Sequence, residues 1–328
     1  MAIRRILVAV KDPRARSLPS VDKAVQLANA WGARIELFHA LDSPIYLGPA
    51  GVAGDGPRGL ARELRARSLG RLEIIAARIR ESGVDATVAV EWDFPVYEAI
   101  VRRARHWQAD LIVAECRPGR RLAPMLLRLT DWELLRLSPV PVLLVKDERP
   151  YRQPVVLAAI DPQHARAKPD GLDDVILRAG TELQAALRGT LHAVHAFAPL
   201  GPNNVAWDIA SAQVAIGLQE EAREDAEAVF ARALRRYGIP GTRRHLVGRT
   251  PHDAILGVAR TIRSSIVVMG AVSRRGLSRL LIGNTAERLL AEIPCDVLVV
   301  KPRRFASRVP AARRGMRFIG PVTPSAFG

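Results

Sequence analysis

The chain has 328 residues, 48% of them apolar and 5% aromatic, with a formal net charge of +16. That length is about twice an ordinary domain, so two domains are expected, and no stretch approaches the roughly 18 consecutive apolar residues that would span a membrane. Only Cys116 and Cys295 are present, one in each half and without metal-ligand spacing, which argues against a disulfide framework and against a zinc site.

The first residues superficially suggest a secretion signal, yet their apolar run stops at Lys11 and Asp12, so Ile6 to Val10 reads as a first buried strand and the expected location is the cytoplasm. Asp12-Pro13 is a turn, and Ser20 to Trp31 an amphipathic helix closed by Gly32. Arg34 to Ala40 is the second strand, followed by a glycine- and proline-rich loop from Asp42 to about Gly59. A long helix runs from Leu60 to Ser82, then come a strand (Ala86 to Trp92), a helix (Val96 to Trp107), a strand (Asp110 to Glu115), a helix (Thr130 to Leu137) and a strand (Val140 to Lys146).

The second half replays this order. Val155 to Ile160 is a strand, Asp161-Pro162 a turn, Leu172 to Leu187 a helix, Thr190 to Phe197 a strand and Ala198 to Asn204 a loop. Asp208 to Tyr237 is mostly helical; Thr242 to Val247, Pro251 to Arg263 and Ile266 to Gly270 are strand, helix and strand; Val297 to Lys301 is the last strand. At an offset of 155 residues Pro139, Val142, Leu143 and Lys146 meet Pro294, Val297, Leu298 and Lys301, while Leu111-Ile112-Val113 meets Ile266-Val267-Val268. One offset holding from the third helix to the last strand marks a duplication. The expected division is residues 1–149, residues 150–304 and a basic tail, 305–328, whose arginines among prolines and glycines suggest disorder. Each half alternates strand and helix five times, which predicts an open parallel sheet with helices on both faces.

The segment from Gly270 to Glu287 stands between a β-branched apolar strand and a helical stretch, Thr285 to Glu292, and its glycines suit a loop that cradles phosphate at a helix N-terminus. Asn284 or Thr285 fits the N-cap. Gly270-x-x-Ser273, nine residues, then Gly283-Asn284 closely resembles the nucleotide loop of the universal stress proteins, written Gly-x-x-Gly, nine residues, Gly-Ser/Thr. Asp161 and the closing Pro294-Cys295-Asp296-Val297 fit the same family, and the two copies resemble its tandem, E-type members. The resemblance spans residues 4 to 302 and implies two Rossmann-like (adenine nucleotide alpha hydrolase-like) domains, each of five parallel strands in the order 3-2-1-4-5. It implies that Asp161 meets the adenosine end of a nucleotide and that Gly270, Ser273, Gly283 and Asn284, with Thr285 beside them, line its phosphates.

Two departures qualify the match. Ser273 stands where the family has its second glycine, adding a side chain at the closest approach to phosphate. In the first copy Glu115 and Pro118 replace Gly270 and Ser273, Thr130-Asp131 occupies the Asn284-Thr285 region, and Lys11 stands at the position of Asp161. Carboxylates there repel phosphate and Pro118 lacks an N–H, so a nucleotide, ATP with magnesium, is expected in the second copy alone, with the first as a scaffold forming an internal pseudo-dimer with it. Arg274, Arg275 and Arg279 are candidates to neutralise phosphate charge.

No catalytic residues and no metal site are expected. Walker-type lysine, nucleophile elbow and paired carboxylates are all missing, so the reading is a non-enzymatic stress-response protein. His192 and His195 alternate to opposite faces of one strand and read as structural histidines, as do His245 and His252; Asp253 reads as a first-turn charge. Alternative readings are a nucleic-acid-binding protein using the basic surface and tail, a slow ATPase, or an apolar molecule covered by residues Ala198 to Ile216, including Trp207.

Overall fold

Runs such as Ile6-Leu7-Val8-Ala9 and Val267-Val268-Met269 carry no polar position, which suits strands buried on both faces of a parallel sheet. The structure, a computed structural model, describes residues 3–46, 56–116, 124–167, 171–197, 209–270, 289–290, 292–302 and 304–319. Two compact units divide the chain: Ala2–Val140 with Ser307 onward, and Pro141–Ala306.

The first unit contains β1 (Arg5–Ala9), α1 (Pro19–Trp31), β2 (Arg34–Leu41), β3 (Ile45–Tyr46), α2 (Gly56–Glu81), β4 (Ala86–Trp92), α3 (Val96–His106), β5 (Leu111–Glu115) and α4 (Pro124–Leu137). Its strands lie in the order β4-β2-β1-β5, all parallel, with Ile6 beside Ile35 on one side and Leu111 on the other. Ile6, Leu7, Val8, Ile35, Leu37, Ile112 and Val113 are fully buried, and each large side chain so withdrawn from water contributes about 1.5–3 kcal/mol. Gly32 ends α1 in the left-handed conformation (φ 65°), donating its N–H to the Ala28 carbonyl, as its position after the apolar stripe predicts.

The second unit contains β6 (Val142–Val145), β7 (Val155–Ile160), a 3₁₀ turn (Pro162–Ala167), α5 (Leu172–Ala186), β8 (Thr190–Phe197), α6 (Ile209–Leu234), β9 (Arg244–Gly248), α7 (Pro251–Thr261), β10 (Ile266–Gly270) and β11 (Asp296–Val300). Its order is β6-β11-β10-β7-β8-β9. From β9 back to β11 this is the full parallel 3-2-1-4-5 arrangement, and because strands are added in both directions from β7, right-handed crossovers, the rule for such connections, place helices on both faces. In the first copy the order β4-β2-β1-β5-β6 is again 3-2-1-4-5, and β6 also pairs antiparallel with β11, Leu143 beside Leu298. All four β6 residues are buried, so this wholly apolar strand needs a partner on a sheet interior.

Several boundaries differ from the sequence expectation. Helix α4 begins at Pro124, six residues before Thr130, because Pro suits the first helical position and Met125 to Leu129 are good helix formers. The tail departs most. The tail, residues 305–328, was expected to be disordered, but of its described residues those from Ser307 follow the surface of the first unit, where Val309 is buried and Phe318–Ile319 (β12) pairs in parallel with β3. Composition suggested a solvated tail because the carboxylates that neutralise Arg313 and Arg314 lie over two hundred residues away. Among the described residues no helix is long and apolar enough to cross a membrane.

Candidate functional site

In the second unit β7 leads to β8 on one side while β10 lies on its other side, so the carboxyl ends of β7 and β10 flank the point where strand order reverses, the usual position of a ligand crevice in open α/β sheets. Asp161 follows β7 immediately and Gly270 ends β10, so these two candidates do converge at that edge. Ser273, Gly283, Asn284 and Thr285, together with Arg274, Arg275 and Arg279, lie outside the described residues, as do residues 198–208 of the apolar segment, including Trp207.

The Asp161 side chain is 22% exposed and Oδ1 lies 2.9 Å from His164 Nδ1, while the Asp161 N–H donates to Asp173 Oδ1 at 3.1 Å. Asp173 sits in the first turn of α5, where the helix dipole favours a carboxylate. Gly270 has a packing reason to be glycine: a Cβ there would lie 2.5 Å from Leu172 Cδ2 and 2.9 Å from its Cγ. Leu172 opens α5, so Gly270 lets that helix close onto the end of β10.

His195 holds the same edge together. It is fully buried, and its Nδ1 must carry the proton because its neighbour at 3.3 Å is the Ile160 carbonyl, which only accepts. Nε2 stands 3.2 Å from the Gln163 side chain and the ring packs on Phe230. His39 repeats this in the first unit, with Nδ1 2.8 Å from the Val10 carbonyl. Each histidine thereby fixes the backbone next to the residue that follows strand one of its copy. This agrees with the structural reading of His195; the His39 partner went unnoticed, although its place on the second strand of the repeat signals it.

At the equivalent edge of the first unit the geometry is different. Lys11 Nζ donates to Asp131 Oδ1 at 3.0 Å and Oδ2 at 3.3 Å. Asp131 is largely buried; desolvation raises its pKa, and Lys11 and the Cys116 thiol oppose that rise. Lysine at the Asp161 position and aspartate at the helix position thus neutralise one another across the crevice. The two residues are each apparent in the sequence, but their separation of 120 positions hides the pairing.

Sequence alternation correctly separates His192 from His195, yet it misses that His192 Nδ1 lies 3.0 Å from His245 Nε2, with the rings stacked at 5.3 Å. Parallel pairing of β8 with β9 brings them together, Val194 beside His245. Burial lowers both pKa values, and for His192 the nearby His245 and Arg243 charges lower it further. His252 opens α7, where Thr250 caps the helix by accepting the Asp253 N–H at 3.2 Å, while the Thr250 hydroxyl donates to Asp253 Oδ2 at 2.7 Å. Among the described residues no group of three or more His, Cys, Asp or Glu could hold a metal ion, and Cys116 and Cys295 are free thiols.

Comparison with known proteins fits this duplicated architecture. The model of the Universal stress protein family matches residues 2–146 and again 156–301. Universal stress protein E of Escherichia coli K12 is 27% identical over 317 residues, covering 94% of this chain and 98% of that protein. The Universal stress protein E homolog of Haemophilus influenzae is 30% identical over 220 residues, 66% of this chain and 69% of that protein. Two solved structures share the fold: a functionally unknown protein from Pseudomonas aeruginosa PAO1 (TM-score 0.68, 23% identity, 92% of this chain and 94% of that one) and a universal stress protein from Archaeoglobus fulgidus (TM-score 0.60, 19% identity, 91% and 98%). With both halves matched, the chain belongs to the universal stress protein family, as a tandem of two copies.

Proposed function

We propose that this is a non-catalytic stress-response protein that binds a nucleotide, ATP with magnesium, in its second copy only. The observation that carries this reading is the asymmetry between the two switch points. In the first, Lys11 and Asp131 neutralise each other where a ligand would enter, and any nucleotide would have to break that ion pair. In the second, the corresponding position holds the partly exposed Asp161, a suitable acceptor for ribose hydroxyls, beside the strand end that leads into the glycine-rich loop. Bound magnesium would offset phosphate charge; Asp161 and the loop from Gly270 would hold and orient the nucleotide. The sequence has no Walker-type Gly-Lys-Ser/Thr motif, which favours holding over turnover.

Calorimetric titration of the full chain with ATP and magnesium tests the reading. Wild type is expected to bind one equivalent, Asp161→Ala and Gly283→Val to lose most of that affinity, and Lys11→Met to bind as wild type does. Absence of binding at millimolar ATP, or a stoichiometry of two, contradicts it, and phosphate release that depends on Gly283 overturns the non-catalytic part.

A further inference from the structure

Four carboxylates gather at one margin of the first unit: Glu36 on β2, Glu91 on β4, Asp93 just after it and Glu98 in the first turn of α3. All are buried, with Asp93 fully so. Two arginines of α3 serve them. Arg102 donates to Asp93 at 2.7 Å and Glu98 at 2.9 Å, and Arg103 holds Glu36 at 2.5 Å and Glu91 at 2.9 Å. Four negative charges against two positive leave the cluster two positive charges short, and buried carboxylates are costly unless paired.

Residues 313–317, Arg-Arg-Gly-Met-Arg, supply the difference. Arg313 donates to Glu91 at 3.0 Å, and Arg314 forks onto Glu98 through Nε at 3.1 Å and Nη2 at 2.8 Å. The guanidinium of Arg317 lies 4.7 Å over the Phe94 ring and donates to the Asp42 carbonyl at 2.6 Å. Backbone contacts set the register: the Arg314 N–H donates to Asp93 at 2.9 Å, the Arg317 carbonyl accepts from Ile45 at 2.8 Å, and Phe318–Ile319 continues as a parallel strand beside Ile45–Tyr46. Strand addition for affinity combined with side-chain sites for selectivity is how extended peptides are recognised.

We propose that Glu91, Asp93, Phe94 and Glu98 form a binding site for an extended Arg-Arg-x-x-Arg segment, which the chain's own residues 313–317 occupy and keep closed to an arginine-rich segment of a partner protein. Arg102 and Arg103 hold the four carboxylates from within the unit, and the two charges left uncompensated when the segment leaves are what draw in another arginine-rich segment. The receiving side chains are buried, whereas Arg313 and Arg314 are 53% and 47% exposed, so the segment is the part that detaches. The fork on Glu98 and the stacking on Phe94 select guanidinium over ammonium.

The test uses a fluorescein-labelled peptide with the sequence of residues 312–319 and the full chain, in wild-type form and as Arg314→Ala. Because an internal ligand competes with an added one, the variant should bind the peptide about tenfold or more tightly than wild type. A peptide carrying lysine at the three arginine positions should bind the variant about tenfold more weakly than the arginine peptide, since it keeps the charge but loses the fork. Arg314 is half exposed and Glu98 keeps Arg102 as its partner, so Arg314→Ala frees the segment without unfolding the unit, and the lysine peptide does not alter the protein at all. Equal affinity of wild type and variant, or equal affinity for the arginine and lysine peptides, overturns the proposal.

Discussion

One methyl group at Gly270 would place a carbon 2.5 Å from Leu172 Cδ2, and Leu172 is itself 4% exposed, so it cannot swing into solvent without losing its burial. Overpacking of this kind costs about 1–3 kcal/mol. Gly270→Ala is therefore expected to lower the denaturant midpoint of unfolding, and Leu172→Ala in the same chain to make room for it. The double variant should lose less stability than the two single losses combined, by more than about 0.5 kcal/mol, and strict additivity would remove Leu172 as the reason for the glycine. Lys11 argues through charge instead of volume. Burial holds the Asp131 carboxyl above the usual carboxylate range, and Lys11 opposes this. Lys11→Met leaves a buried carboxylate without that partner, at a cost of about 1–3 kcal/mol at pH 7 once the partial exposure of Lys11 is allowed for. The sign follows from linkage: a carboxyl with a raised folded pKa penalises the fold only where it is ionised, so the penalty grows as pH rises above 3.8 and vanishes below it. Urea unfolding should show a larger loss at pH 7 than at pH 4, and equal losses would show that charge is not the cause.

Among the elements, β8 and β9 create a chemical pair that neither contains alone. A hydrogen bond between His192 and His245 needs one ring to donate and the other to accept, so protonating both removes the acceptor. Both pKa values lie below the ordinary 6.5, through burial and, for His192, also through the charges of His245 and Arg243. A histidine held neutral by the fold contributes stability that is intact above 6.5 and is lost as pH falls through its lowered value. Thermal unfolding of wild type should therefore decline more steeply between pH 6.5 and 5 than that of His192→Gln with His245→Gln; parallel declines would mean the pair is incidental. This pair also shows where sequence reasoning stops. Strands such as Val155–Ile160 and the helix stop at Gly32 are legible because apolar runs and left-handed glycines are local signals. Asp161 and Gly270 could likewise be placed at strand ends by counting along the repeat. His192 with His245, Lys11 with Asp131, and β3 with β12 depend on register between segments 53, 120 and over 270 residues apart, which periodicity does not encode.

For the molecule as a whole, the sequence repeat and the compact units do not share a boundary. The repeat breaks between Lys146 and Val155, yet residues 141–146 pack with the second unit and the tail from Ser307 packs with the first. The bonds that hold each crossing segment are specific. Lys146 and Asp147 donate their N–H groups to Asp296 Oδ1 at 2.8 and 3.0 Å, the Tyr151 hydroxyl donates to Asp296 Oδ2 at 2.5 Å, and Lys146 Nζ caps the carbonyls of Leu290 and Ile293. Asp296 is fully buried and its carboxylate raises the Tyr151 pKa further above the rise that burial causes, so at neutral pH the tyrosine remains a donor. Each half of the sequence thus sends a segment into the other half's unit, and a single cut between the halves frees neither. With a protease site inserted between Glu148 and Arg149, the nicked chain should elute from a sizing column under native conditions with the intact mass of 35.9 kDa, and separate only in denaturant. Asp296→Ala combined with Arg313→Ala and Arg314→Ala weakens both crossing segments and should let the two fragments part. Wild-type fragments that separate without denaturant would show that the segments do not hold, and fragments that stay together in the triple variant would place the holding force elsewhere than in these bonds.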